Sequence, residues 1–154
     1  MKDLEKLDYR YGEEQDTALI LRYIKELAEY EGLPNEVKTD EATLKEWLFD
    51  KERAKVLFPL LDGKPIGFCV YFYNFSTFLG KSGLYIEDIY IEERYRGKGF
   101  GKQLIQKMFK LAKDEQLGRV EWACLNDNEP SFEFYVSQGA EPMSEWTVFR
   151  MADN

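Results

Sequence analysis

Histidine is absent from this chain of 154 residues. Its absence excludes the Ser-His-Asp and Cys-His mechanisms in their usual forms. It also excludes metal sites built on imidazole, and two isolated cysteines make no zinc site. A general base here must therefore be Asp, Glu, Lys, Tyr or a water held by one of them. The two cysteines, Cys69 and Cys124, both fall in predicted strands. They read as reduced core residues, which leaves no disulfide framework and makes the cytoplasm the default compartment. No apolar run approaches the roughly 20 residues of a membrane span. The start, Met1-Lys2-Asp3-Leu4-Glu5-Lys6, has no signal-peptide core. Positive charge is also scarce: 21 Lys and Arg stand against 29 Asp and Glu, a net charge of −8. That balance argues against nucleic acid and anionic membrane surfaces as partners. It suits a small cationic substrate, and it is equally ordinary for an acidic soluble protein.

What is present is enough for a core. Hydrophobic residues make up 44% of the chain and aromatics 16%, so a single domain over residues 1–154 is expected. Leu7 to Tyr11 reads as a short strand. Asp16 to Glu31 reads as a helix with Leu19, Ile20, Tyr23, Ile24, Leu27 and Ala28 on one face, closed by Gly32-Leu33-Pro34-Asn35. A second helix over Asp40 to Phe49 is expected to bury Leu44, Trp47 and Leu48, with Thr39 or Asp40 as its cap. Val56 to Leu61 and Ile66 to Asn74 form a hairpin through Asp62-Gly63. Leu84 to Ile91 is a strand, Gly99 to Glu115 a helix stopped by Gly118, and Arg119 to Cys124 a strand. Glu129-Pro130 opens a helix to about Gln138, followed by Gly139, and Thr147 to Met151 is a last strand. The order predicts an α+β fold: a mixed, mostly antiparallel sheet with helices packed on it.

The chemistry concentrates in Arg96-Gly97-Lys98-Gly99-Phe100-Gly101-Lys102. A strand, a glycine-rich turn and a helix start present bare backbone N–H groups, which suit a phosphate or pyrophosphate. The Walker loop does not fit, because Arg96 stands five residues before Gly101 and Gln103 follows Lys102. The dinucleotide fingerprint does not fit, because the glycines at 97, 99 and 101 are spaced Gly-x-Gly-x-Gly. Arg96, Gly99 and Gly101 do satisfy Arg/Gln-x-x-Gly-x-Gly/Ala. This loop resembles the acyl-CoA pyrophosphate loop of the GCN5-related N-acetyltransferases.

A longer match surrounds it. Gly83 to Ile91 with Glu87-Asp88 precedes Tyr95-Arg96-Gly97. Asn128-Glu129-Pro130-Ser131 leads to Phe134-Tyr135 and Gly139-Ala140. Ile24 to Glu31 belongs to the same pattern upstream. Together these resemble the diamine acetyltransferases, the spermidine/spermine N1-acetyltransferase branch of that superfamily. The resemblance covers nearly the whole chain and is densest from 83 to 140. It implies an acetyl-CoA cofactor. Backbone of Ile89, Tyr90 and Ile91 would pair with the pantetheine arm. Gly97, Lys98, Gly99, Phe100, Gly101 and Lys102, with Arg96, would hold the pyrophosphate, and Asn128, Ser131 and Tyr135 match family positions near the cofactor. Lys98 and Lys102 either assist there or are simply solvated. For the amine, the match carries over Tyr30, Glu31, Glu87, Glu121, Trp122, Ala123 and, loosely, Glu145. The Asp62-Gly63 hairpin and the Met143 to Trp146 stretch are shorter than in animal relatives. Both regions bear on the amine pocket. Family members are commonly homodimers, so a homodimer is expected.

The residues support a mechanism of their own. An alkylammonium must lose a proton before it attacks a thioester, and Glu87 is the candidate base, through a water. The departing thiolate gains from a proton donor, and Tyr135 is the family's candidate acid. Direct attack needs no enzyme nucleophile, which suits a chain without histidine, and leaves Cys124 a core residue. Asp88 serves either structure or function. Carboxylates at Glu31, Glu87 and Glu145 suit a polycation, with Tyr30, Trp122 and Trp146 as cation–π neighbours. The alternative is a solvated acidic face. The expected activity is acetyl transfer to a small polyamine or diamine. Rival readings are another amine, such as thialysine or another amino acid analogue, an aminoglycoside or a protein N-terminus, and a non-catalytic acyl-CoA-binding module.

Overall fold

The computed structural model describes residues 5–153. Met1 to Leu4, part of the start read above for a signal-peptide core, lie outside the described residues. The chain forms two compact units, the first ending at Ala123 and the second beginning at Cys124.

The first unit is a sheet with a helix on each face. Its strands are β1 (Asp8–Tyr11), β2 (Lys55–Leu61), β3 (Lys64–Pro65), β4 (Gly67–Ser76), β5 (Lys81–Ile91) and β6 (Val120–Trp122). The order is β1-β2-β4-β5-β6, with β3 paired to β2. Every pairing is antiparallel except β5 with β6, which is parallel. The β2–β3 turn is as expected: Asp62 at φ 50° and Gly63 at φ 79° give both central residues the positive φ of a type I′ turn.

Helix α1 (Thr17–Tyr30) lays Ile20 and Tyr23 against Val56, Phe58, Phe68, Val70 and Tyr90. Alternation along each strand places the intervening residues Leu57, Cys69 and Tyr71 on the other face, where they are also buried. Helix α3 (Phe100–Asp114) contributes Phe100, Leu104, Ile105, Met108 and Ala112 to the interior. Its Gln103 ties it to that second face: the carbonyl accepts from Tyr9 Oη at 3.3 Å and Oε1 from the Leu7 N–H at 3.1 Å.

Three expectations change in this unit and at its end. The second helix begins as α2 (Glu41–Lys45), capped by Asp40, whose Oδ1 accepts from the Thr43 N–H at 2.8 Å. It then widens into a π-helical turn over Glu46–Asp50. Leu44 and Leu48 pack at the core margin, but Trp47 stays 45% exposed. The Lys51 ammonium covers its ring at 3.9 Å instead. Gly118 does not stop α3. Gln116 does, at φ 59°, with Leu117 N–H donating to Ala112 O at 2.9 Å. Gly118 is instead a packing position, since a Cβ there would lie 3.0 Å from Leu79 Cδ1. Finally, β6 ends at Trp122, so Cys124 stands beyond it, half-buried, while Cys69 is in β4 and buried; both are free thiols.

In the second unit, α4 (Glu129–Ser137) is capped by Asn128, whose Oδ1 accepts from the Ser131 N–H at 3.3 Å. Pro130 occupies its first turn and Gly139, at φ 96°, follows its end. The expected last strand is not there: Thr147 to Met151 form no ladder among the described residues. Val148 and Phe149 are each 90% exposed and Met151 is fully so. Strand propensity alone does not make a strand, because the ladder hydrogen bonds need a neighbour.

Candidate active site

Most first-unit candidates lie along one continuous path: β5, the glycine loop and the start of α3, with the end of α1 beside them; Glu121, Trp122 and Ala123 lie apart, on and after β6. β5 pairs with β6 only from Leu84 to Ile86, opposite Val120 to Trp122. At that point β5 changes register against β4, with Tyr71 opposite Ile86 but Val70 opposite Asp88. Glu87 is therefore the extra residue of a β-bulge, and bulges re-aim side chains and end pairing. From Asp88 to Ile91 the strand is paired to β4 alone. Its β6-side backbone edge carries no ladder among the described residues.

The bulge also sorts the side chains. Ile86 shares a face with Tyr71, and Ile89 and Ile91 are paired with Cys69 and Gly67. Leu84, Ile86, Ile89 and Ile91 thus all face α3. Asp88 and Tyr90, paired with Val70 and Phe68, face α1. Glu87 itself is exposed and Asp88 partly buried. Burial, then the charges of Glu87 and Glu31, push the Asp88 carboxyl up to about 6. Burial also raises the carboxyl of Glu31, just past the end of α1. Three carboxylates thus influence one another where α1 ends over the bulge.

In the loop, Gly97 (φ 77°) and Gly99 (φ 83°) are left-handed, a conformation open to glycine at little cost. Gly99 caps α3 with no side chain. The first intrahelical bond of α3 runs from Gln103 N–H to Gly99 O at 3.1 Å. The N–H groups of Phe100, Gly101 and Lys102 precede it and have no intrahelical acceptor. A Cβ at Gly101 would meet nothing within 4 Å, so the space before these donors is open. Lys98 is exposed beside Tyr95, at 6.0 Å from its ring, and Lys102 is exposed.

Arg96 does something the sequence did not signal. Its Nε–H donates to Ile91 O at 2.9 Å. Its guanidinium lies 4.6 Å from the Tyr30 ring and 5.3 Å from the Tyr90 ring. Tyr90 Oη donates to Glu26 Oε1 of α1 at 2.7 Å. An open cleft of about 760 Å³ is lined here by Glu26, Glu29, Tyr30, Tyr90, Arg94 and Arg96, among others.

The remaining candidates are placed as follows. Glu121 is on β6, its Oε1 held by Arg119 Nε at 3.1 Å and Asn74 Nδ2 at 3.3 Å. Its charge is already partnered. Trp122 packs its ring 5.8 Å from Phe109 of α3, and Ala123 follows, exposed. Asn128, Ser131, Tyr135 and Glu145 belong to the second unit. There Asn128 and Ser131 form the α4 cap, the Tyr135 ring lies 5.6 Å from Phe134, and Glu145 is exposed in a turn. The adjacent carboxylates Glu87-Asp88 in an apolar strand were the one sequence signal of the bulge. Nothing in the sequence marked the Arg96–Tyr30 stack.

The chain is similar to known proteins in sequence and in fold. A family model described as the acetyltransferase (GNAT) family matches residues 20–140. A thialysine N-epsilon-acetyltransferase of Bos taurus is 35% identical, covering 92% of this chain and 89% of its own length. An L-ornithine N5-acetyltransferase of Arabidopsis thaliana is 41% identical over 66% of this chain and 45% of its own. A spermidine/spermine N(1)-acetyltransferase-like protein of Homo sapiens is 31% identical over 94% of this chain but only 23% of its own. Among solved structures, a ribosomal-protein-alanine N-acetyltransferase from Brucella melitensis superposes with a TM-score of 0.74 at 18% identity, covering 95% of this chain and 99% of that one. At that identity the likeness speaks for the fold.

Proposed function

Because the chain belongs to the acetyltransferase (GNAT) family and is an N-acetyltransferase of an amine, we propose that it acetylates the terminal primary amine of a small aliphatic polycation, a polyamine or diamine, in the cytoplasm and as a homodimer. The observation that carries this reading is the open edge of β5 running into the glycine loop, with the Glu31–Glu87–Asp88 carboxylates at its bulge.

The residues fit acetyl-CoA. The β6-side edge of β5 at Ile89, Tyr90 and Ile91, which carries no ladder among the described residues, suits an amide-bearing arm added as a strand would be. The N–H groups from Gly97 to Lys102 suit a pyrophosphate, in the open space before Gly101. Asn128, Ser131 and Tyr135 are assigned to the same ligand on the family pattern. When bound, acetyl-CoA supplies an activated acyl carbonyl. Glu87 takes the proton from the substrate ammonium through a water. Tyr135 Oη holds the proton that the departing thiolate requires. Tyr30, Glu31 and Glu87 orient the amine, joined by Glu121, Trp122, Ala123 and Glu145. Asp88, held near 6, stays charged at neutral pH and attracts the ammonium from the α1 side.

A second reading has its own support. Thialysine and ornithine also end in a primary amine on a flexible chain, but they carry a carboxylate, which wants a cation. Arg94 and Arg96 line the cleft beside Tyr30. The free thiols Cys69 and Cys124 suit a reducing compartment. The exposed Val148, Phe149 and Met151 suit a chain that covers them with a second copy.

The test is CoA release from acetyl-CoA against spermidine, spermine, putrescine, thialysine, ornithine, lysine, an aminoglycoside and an N-terminal peptide. Selective turnover of the polyamines and diamine is expected. Selective turnover of thialysine or ornithine would replace the substrate with the amino acid class and keep the mechanism. Tight acetyl-CoA binding without turnover of any amine would defeat the enzymatic reading. Removing a positioned acid or base typically costs about 10²–10⁴ in rate. Glu87→Gln and Tyr135→Phe are each expected to lower kcat on that scale with the fold intact by circular dichroism. Wild-type kcat in both would sink the assigned roles.

A further inference from the structure

Arg96 opens the glycine loop, and its position invites a simple role as one more phosphate contact. Its geometry is of another kind. One N–H of the guanidinium is spent on Ile91 O, the last carbonyl of β5. The guanidinium carbon lies over the ring of Tyr30, the last residue of α1, and over that of Tyr90, which is itself bonded to Glu26 of α1. A guanidinium forms such stacked, hydrogen-bonded contacts because it is planar and weakly hydrated, and an ammonium does not reproduce them. Behind it, Arg22 binds Glu26 at 3.0 Å and Glu92 at 3.4 Å, and Tyr23 Oη donates to Glu92 at 2.7 Å. The strand that leads to the glycine loop and the helix that ends in Tyr30 and Glu31 are thereby held together, with Arg96 as the part of the clasp that belongs to the loop.

We infer that Arg96 is a positioning residue that couples the glycine loop to the Tyr30–Glu31 end of α1, so that the CoA ligand and the amine strengthen each other's binding. The inference rests on the acetyltransferase reading above. Its physical content is a shared element. Fixing the loop around a pyrophosphate fixes the Arg96 backbone, next to the left-handed Gly97. A fixed Arg96 holds the Tyr30 ring, and with it the Glu31 carboxylate that faces the amine. The same contacts work in reverse when the amine binds first, and the two affinities must shift by the same factor.

The experiment is calorimetric titration of the full-length protein with CoA alone, with spermidine or thialysine alone, and with each amine in the presence of saturating CoA. It is run on wild type, Arg96→Met, Arg96→Lys, Tyr30→Leu, Tyr30→Phe and the Arg96→Met/Tyr30→Leu double variant. Tyr30 is 56% exposed and Arg96 is exposed, so these changes spare the core. In wild type, CoA is expected to tighten amine binding by at least about five-fold, the lower end of ordinary coupling between sites. Arg96→Met, Arg96→Lys and Tyr30→Leu should each bring that factor close to one. Tyr30→Leu should weaken CoA itself, the double variant should be no worse than the poorer single, and Tyr30→Phe should keep the coupling. Coupling left intact in Arg96→Met, CoA affinity restored by Arg96→Lys, and CoA binding indifferent to Tyr30→Leu would make Arg96 a plain phosphate ligand and overturn the inference. Wild-type protein that binds no CoA would overturn the acetyltransferase reading first, and is a different result from CoA binding without coupling.

Discussion

Asp88 shows how a single side chain can oppose the fold that holds it. Its carboxyl is raised to about 6, first by burial and then by Glu87 and Glu31, from an unfolded value near 4. A raised acid binds its proton more tightly in the folded state. Below pH 4 it is neutral in both states and costs nothing. Between pH 4 and 6 the folded state holds more protons than the unfolded one, so stability falls as pH rises. Above pH 6 the penalty is complete, at about 2–3 kcal/mol for a shift of some two units. Asp88→Asn is therefore expected to raise the melting temperature at pH 7.5 and leave it nearly unchanged at pH 4. Melts at the two pH values read this directly, and an equal shift at both would show that the gain has nothing to do with ionisation. The proposed place beside a cationic amine would give that charge a partner.

Among the elements, β5 and α3 carry the proposed site, and each separates a structural from a functional demand. In β5 the bulge residue Glu87 stands outside the ladder, so Ile86 opposite Tyr71 and Asp88 opposite Val70 remain compatible with a regular strand if it is removed. A chain lacking Glu87 is expected to keep its fold, with Ile89 and Ile91 still facing α3, and to lose turnover. Unfolding on deletion would mean that the bulge is itself structural. In α3, a Cβ at Gly101 meets nothing. Gly101→Val should leave the melting temperature within a few degrees of wild type while weakening CoA binding by more than tenfold. Gly99, at φ 83°, is the converse. Gly99→Ala should cost about 1–2 kcal/mol, the strain of a left-handed non-glycine residue. Calorimetric titration with CoA and thermal melts on the same two variants distinguish a binding role from a conformational one.

At the scale of the whole molecule, the homodimer expected from the family resemblance and proposed above has exposed apolar residues to cover, at Val148, Phe149 and Met151. Val148 and Phe149 neighbour each other, so in an extended segment they point to opposite faces. Both are 90% exposed, which suits a segment that is covered on two sides once a partner is present. Light scattering after size exclusion is expected to give twice the 18.2 kDa of one chain. Phe149→Asp should shift that mass to the monomer, and a monomeric wild type would exclude the dimer. The net charge of −8 acts on the same scale, and for the proposed polycationic substrate it is expected to act as a long-range attraction. Its effect on amine KM should weaken with added salt.

By itself the sequence determined whatever depends on neighbours along the chain. The helix read over Asp16 to Glu31 from its apolar spacing forms as Thr17–Tyr30, the hairpin followed from Asp62-Gly63, the α4 boundaries from Pro130 and Gly139, and the loop from Arg96, Gly99 and Gly101. These are local regularities of period, capping and turn chemistry, and local forces decide them. The tertiary structure decided what depends on residues far apart in sequence. It set the bulge at Glu87, because register is a relation between two strands. It left Trp47 to Lys51 and ended α3 at Gln116 rather than Gly118. It withheld a strand from Thr147 to Met151, since a ladder requires a neighbour that no single segment supplies. It also brought Arg96 onto Tyr30, 66 positions away, through ring and guanidinium surfaces that meet only after α1 has packed on the sheet.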